Sequence, residues 1–258
     1  MLSDIFLNRA AQVLGSNIAV MAGFYVLIAG AAWLSGYVLF RRSWKHRKII
    51  ADYPERADMA REIFYSGISV IIFALFVVLT WWMKLHGWTR IYVTMNEYGW
   101  WWFFLSLPVT IVVHDAYFYW THRLLHSRAL YRWFHHTHHR SHNPSPWTSY
   151  AFAPLEAAVQ AGIMPLVAVL YPVHPVPWAL FMMFQFGINV TIHSGYEFMP
   201  RRFADSWISR VLSTPTSHIV HHQYSRGNYG FFFSFWDRLM GTHHPRYEER
   251  LRSVTSGS

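Results

Sequence analysis

The sequence predicts an all-α integral membrane protein: a helical anchor of about three full spans and a short helical hairpin, carrying a cytosolic histidine-rich helical cap. Three observations lead there. The 258-residue chain is 53% hydrophobic and 19% aromatic with only 14% charged residues, too apolar for an ordinary soluble domain. Residues 17–40 hold no charge at all, a run long enough to cross a hydrocarbon core. The histidines, 17 in total, gather in dense blocks beyond the third apolar run.

The elements follow in order. Residues 17–40 form the first span, and a cleaved signal peptide is excluded because Asp4 and Arg9 precede a run too long for an h-region. Arg41, Arg42, Lys45, Arg47, Lys48, Arg56 and Arg61 make the 41–63 loop strongly basic, which places it in the cytoplasm. Spans two and three cover residues 64–83 and 100–120. Trp81, Trp82, Trp88 and Trp100 to Trp102 form an aromatic belt between them at the opposite interface. Residues 157–171 and 176–192 read as a hairpin whose arms are short for a full crossing. The terminal TSGS reads as a disordered tail. With no repeat or linker, residues 1–258 form a single membrane domain. The net charge of +9 would suggest nucleic acid in a soluble protein, but here the basic residues flank apolar runs, so nucleic acid is excluded as a partner.

Histidine spacing carries the chemistry. His122 and His126 stand at i, i+4 on one helical face. His135, His138 and His139 form an i, i+3, i+4 stripe, and His218, His221 and His222 repeat it. A continuous helix would aim His126 and His135 in opposite directions, so the chain must break or bend between Ser127 and Trp133 if the blocks share a site. The prolines of NPSP at 143–146 end the second block. His46, His86, His174, His243 and His244 read as isolated interfacial polar residues, and His114 and His142 fall outside the matched sets.

With no cysteine in the chain, any metal must be held by nitrogen and oxygen. So many imidazoles exceed what one ion accepts, and a closed structural zinc site needs only four ligands. Two iron ions with open positions for oxygen fit the number.

In order, HxxxH, HxxHH, the isolated HSGYE, and HxxHH followed by NYG…WDRLMGT resemble the fatty acid hydroxylase and sterol desaturase superfamily over residues of about 105–245. The last block looks most like its bacterial sterol desaturase branch. The resemblance implies a cytosolic di-iron cap that uses O2 and external electrons to hydroxylate or desaturate a sterol-like or acyl-chain lipid. It also implies that His122, His126, His135, His138, His139, His193, His218, His221 and His222 are the ligands; His193 enters on the resemblance alone. Zinc is able to replace iron in purified material. The implied setting is a multi-pass membrane protein with the histidines and C-terminus cytoplasmic, in a bacterial inner membrane rather than the endoplasmic reticulum. Ala153 stands where relatives often carry a histidine.

Asp115, Glu156, Glu197 and Asp237 are scarce acids near the blocks, placed either to accept the second ring N–H of ligating imidazoles or to cap helices and pair with Arg123 or Arg238. Glu197, four residues after His193, is also placed to ligate directly, although Gly195 weakens a helix there. Asn189 is suited to hold a metal-bound water or to join helices. With no flavin or nicotinamide fingerprint, electrons must come from an external donor such as cytochrome b5 or a ferredoxin with its reductase, docking on the basic face. The alternative is a non-enzymatic membrane metal-binding or transport protein. That would carry ligands near the bilayer midplane, a depth only His114 approaches.

Overall fold

A computed structural model describes residues 2–256, and among these the secondary structure is helical, with three isolated β-bridges and no strand. Helix α1 (Leu2–Trp33) continues through a π-helical turn, Leu34–Leu39, and packs against α2 (Arg56–Leu85). Helix α3 (Gly99–Leu125) contains Pro108, whose missing N–H is tolerated beside neighbours that supply polar contacts. Thr110 Oγ1, for instance, donates to Ser106 O at 2.6 Å and lies 2.8 Å from Tyr171 Oη. Leu27, Phe64, Trp101 and Phe104, all 65–68% exposed, turn outward from these helices as lipid-facing side chains would.

Beyond α3 the chain turns at Ser127 and makes two single-turn helices, α4 (Tyr131–Phe134) and α5 (His136–His139). The break required between Ser127 and Trp133 is present. The segment Pro146–Tyr150 then plunges between α1, α2 and the later helices: Trp147 O accepts from Tyr25 Oη at 2.8 Å and Ser66 Oγ at 3.1 Å. Tyr150 and Phe152 pack there with Tyr25, Phe73 and Phe186.

The hairpin differs from the sequence reading in reach. Its first arm is two helices, α6 (Pro154–Ala161) and α7 (Ile163–Leu170), broken at Gly162. A β-carbon there would meet Tyr117 Oη at 2.9 Å, the hydroxyl that donates to Val159 O at 2.6 Å. The second arm, α8 (Pro175–His193), is long and apolar enough to span, giving four such helices with α1, α2 and α3. Arg90 N donates to Ala168 O at 2.7 Å and Trp102 Nε1 to Pro172 O at 2.8 Å, so the hairpin tip reaches the belt end of the bundle.

The remaining helices, α9 (Arg201–Ala204), α10 (Pro215–Tyr224), α11 (Phe235–Leu239) and α12 (Tyr247–Thr255), cap the other end. There Ile49 N donates to Gly195 O at 3.0 Å and Glu197 N to Arg47 O at 2.9 Å, joining the basic loop to the histidine end. Lys48 is not one of the exposed charges of that loop. It is buried, its Nζ lies 5.2–5.6 Å from the ring centres of Tyr37, Tyr53 and Tyr196, and burial lowers its pKa to about 8. Nor is the TSGS segment wholly a tail, since Thr255 is helical and buried; Gly257 and Ser258 lie outside the described residues.

Single cysteines test this arrangement in a chain that has none of its own. Lys45→Cys and Ser253→Cys should react with an impermeant label from one side of the membrane and Trp88→Cys from the other. Labelling of positions 45 and 253 from opposite sides would refute the shared end.

Candidate metal centre

The nine histidines of the sequence reading converge, but not along the stripes that their spacing draws. His122, His126, His135, His139 and His221 form one group, and His138, His193, His218 and His222 a second. Each HxxHH block is therefore split. Adjacent residues differ in direction by about 100° on a helix, so His138 and His139 diverge, as do His221 and His222, and each pair feeds both groups. His135 follows His139, as His218 follows His222, because residues at i, i+4 point within about 40° of each other on a helix.

Seven of the nine rings have an acceptor at Nδ1. His122 donates to Tyr229 O at 2.9 Å, His193 to Asn189 O at 2.8 Å, His221 to Gly227 O at 2.7 Å, His222 to Ser141 O at 3.0 Å and His138 to Ala151 O at 3.4 Å. His135 donates to Glu156 Oε1 at 2.6 Å, and His139 Nδ1 lies 3.2 Å from Ser225 Oγ. A neutral imidazole that donates from Nδ1 presents a bare lone pair at Nε2. The Nε2 atoms face one another: His122–His135 3.0 Å, His126–His221 3.1 Å and His139–His221 3.0 Å in the first group. In the second they are His138–His193 3.3 Å, His193–His218 2.9 Å and His218–His222 3.2 Å.

In the His122–His135 and His138–His193 pairs both rings donate from Nδ1, so these two have no proton to share and are not hydrogen bonds. All the Nε2 pairs have the lengths of edges of a coordination shell: nitrogens about 2.1 Å from one ion stand about 3.0 Å apart in octahedral and about 3.4 Å apart in tetrahedral geometry. Burial, reinforced by neighbouring imidazoles, pushes His135, His138, His139, His218, His221 and His222 well below the usual histidine range. All-nitrogen, neutral and soft-to-borderline, the donor sets fit iron or zinc in the divalent state.

The acceptors explain the NYG…WDRLMGT segment. Asp237 accepts from Tyr229 N at 2.8 Å, Gly230 N at 2.7 Å and Thr242 Oγ1 at 2.7 Å, which holds the Tyr229 carbonyl against His122. Gly227, at φ +70°, turns its carbonyl to His221 in a conformation that few other residues adopt. These carbonyls are the part of the site that sequence reasoning missed.

Of the four acids, Glu156 alone contacts a histidine among the described residues. Asp115 accepts instead from Phe232 N and Phe233 N at 2.8 and 3.1 Å, and Asp237 acts one step removed, as above. Glu197 is not a ligand: it accepts from Thr216 N at 3.1 Å, Thr216 Oγ1 at 2.7 Å and Met199 N at 3.1 Å. Asn189 joins segments through Nδ2, which donates to Ser149 O at 2.7 Å. His114 stays apart from both groups, and His136 and His142 are exposed. Glu156→Gln should lower metal affinity about 10- to 100-fold, as loss of a carboxylate behind a ligating imidazole does. Chelator competition measures this, and unchanged affinity would mean that Glu156 only packs.

Two connected cavities approach the histidines from the bundle. The outer one, of about 520 Å³, is bounded mainly by apolar side chains of α1, α2, α7 and α8, with Asn17, Thr80 and Lys84 among its few polar ones. The inner, of about 50 Å³, shares Phe73, Tyr150, Met164, Trp178 and Met182 with it. Phe118 and Phe152 close the inner chamber, their rings 5.0 Å from His122 and 5.1 Å from His138.

Residues 107–242, more than half of the chain, match the fatty acid hydroxylase family. The chain belongs to that family. Among relatives of this fatty acid hydroxylase family protein are a Delta(7)-sterol 5(6)-desaturase of Gibberella zeae, 29% identical over 88% of this chain and 68% of its own. Another, of Aspergillus fumigatus, is 26% identical over 92% of this chain and 77% of its own. The lathosterol oxidase of Homo sapiens is 26% identical over 93% and 76%. These fungal and mammalian proteins favour neither a bacterial branch nor a bacterial inner membrane, which corrects that part of the sequence reading. No solved structure matches the chain.

Proposed function

We propose that this protein is a membrane-embedded lipid oxidase that uses two histidine-held iron ions, O2 and externally supplied electrons to hydroxylate or desaturate a C–H bond of a sterol-like substrate. One observation carries the reading: two groups of converging histidine Nε2 atoms lie one aromatic layer beyond an apolar cavity in a bundle of membrane-length helices. The names of the relatives, sterol desaturases and lathosterol oxidases, support the substrate class.

The nine histidines would hold the metals through Nε2, and the Nδ1 acceptors lock seven of the rings in place. Bound iron would supply O2 activation and the oxidising power for an unactivated C–H bond. Hydroxylation takes a C–H bond, O2, two electrons and two protons to an alcohol and water; desaturation takes two adjacent C–H bonds and the same reagents to an alkene and two waters. The chain itself excludes bulk water with Phe118 and Phe152 and orients the lipid along the apolar walls. Exposed Arg41, Arg42 and Lys45 at the histidine end offer a basic docking face for an acidic cytochrome b5 or ferredoxin, and by the positive-inside rule this end is cytoplasmic.

Purified protein should hold close to two metal ions, iron in active material and zinc where overexpression has replaced it. One ion or fewer, with all nine histidines intact, overturns the binuclear reading. Comparative lipidomics of a host with and without the gene should show one lipid losing a hydroxyl or double bond on deletion; identical lipid profiles would refute lipid oxidation.

A further inference from the structure

His114 has no part in the histidine groups, yet it is 5% exposed and its Nδ1 has no hydrogen-bond partner. It stands on α3 in line with the site: His114, Phe118 and His122 follow at i, i+4 and i+8, with ring centres 6.1 and 5.0 Å apart. Its other neighbours are the rings of Phe181, Phe231 and Phe232 at 5.2–5.5 Å. An imidazole buried among phenylalanines with an unmade hydrogen bond costs stability unless something else completes it. The ring lines the inner chamber, where Gln160 and Gln185 add two amide side chains beside that of Asn189, whose Nδ2 already donates to Ser149 O.

No charged side chain lines that chamber among the described residues, which excludes a carboxylate or phosphate as the complementary group. A hydroxyl both donates and accepts, and so matches a neutral imidazole and two amides. The only charge along the connected outer cavity is Lys84, in the last turn of α2 and so at the belt end. An acidic headgroup would be held there, with its chain pointing inward.

We infer that His114 receives a hydroxyl of the substrate, so that the site selects neutral, hydroxyl-bearing apolar lipids and oxidises them near the hydroxylated end, the rest of the molecule filling the outer cavity. This rests on the lipid-oxidase reading above and extends it to a specificity-determining residue.

The test uses iron-loaded protein in nanodiscs, with lathosterol, its 3-deoxy analogue and palmitate as probes, and binding measured by competition. Wild type should bind lathosterol about 10- to 100-fold more tightly than the deoxy compound, the range for one buried hydrogen bond. His114→Leu should erase that preference by weakening lathosterol alone, His114→Gln should restore most of it, and iron content should not change in either. Should His114→Leu lose iron, His114→Phe is read in its place. Equal binding of the two sterols by wild type, or a preference that survives His114→Leu, overturns the inference. So does tighter binding of palmitate that Lys84→Met removes. The two readings fail differently: an oxidised lipid product without His114-dependent preference defeats this inference alone, whereas iron-loaded protein that shows the preference but oxidises no lipid defeats the oxidase.

Discussion

Replacing His138 by alanine is expected to abolish lipid oxidation and lower bound metal, while His136→Ala should leave both within a few fold. Two residues apart in one short segment, the two side chains have opposite surroundings. His138 is 3% exposed, with Nε2 3.3 Å from that of His193 and Nδ1 on Ala151 O, so its loss takes one of only four donors from the second group. His136 is exposed, and its ring meets only the face of Tyr131, at 5.9 Å. The same contrast should separate His221 from His243. Metal content is the deciding readout, because a packing defect would lower stability without a selective loss of ions. Equal damage from His136→Ala would mean that the ligand register of the whole block is wrong.

Stripping the metals should lower the melting temperature by about 16–32 °C, about 8–16 °C for each of the two ions. The groups bring histidine Nε2 atoms to about 3 Å from one another, a spacing that a shared cation would stabilise. An ion present at about a thousand times its Kd stabilises the fold by about 4 kcal/mol. For a chain of this size each kcal/mol moves the midpoint by about 2–4 °C. Calorimetry before chelation, after it and on reloading checks this. An unchanged midpoint in protein verified to be metal-free would show that the histidines are held apart by the fold alone.

Much of this was legible in the sequence, for identifiable reasons. Membrane spans show themselves as long uncharged runs, and a basic loop beside them marks one end. The identity of the clustered histidines is visible because histidine is rare and its spacing is conspicuous. Their partition was not visible: a stripe drawn at helical spacing places His135, His138 and His139 together, whereas the i, i+4 pair and the i+3 residue beside it serve different groups, here and again in the unbroken α10. The sequence left the roles of the acids open for a different cause. Sequence proximity cannot tell Glu156, which meets His135, from Asp115 and Glu197, which hold backbone amides of distant segments. Carbonyl acceptors carry no letter in a sequence, so most of the support around the rings emerges only once the loops after α5 and α10 are placed.

The split of His138–His139 and His221–His222 between the two groups has a consequence for how the centre fills. Each pair is joined by a single peptide bond, so the two donor sets hang from common backbone and no side chain bridges them among the described residues. An ion seated in one set fixes those two peptide units and with them the orientation of a neighbouring ring in the other set. The second ion then meets donors that have already lost their freedom and binds more tightly than the first. On the two-ion reading, filling one set would therefore favour filling the other, and the covalent geometry of two dipeptides would keep half-filled protein scarce.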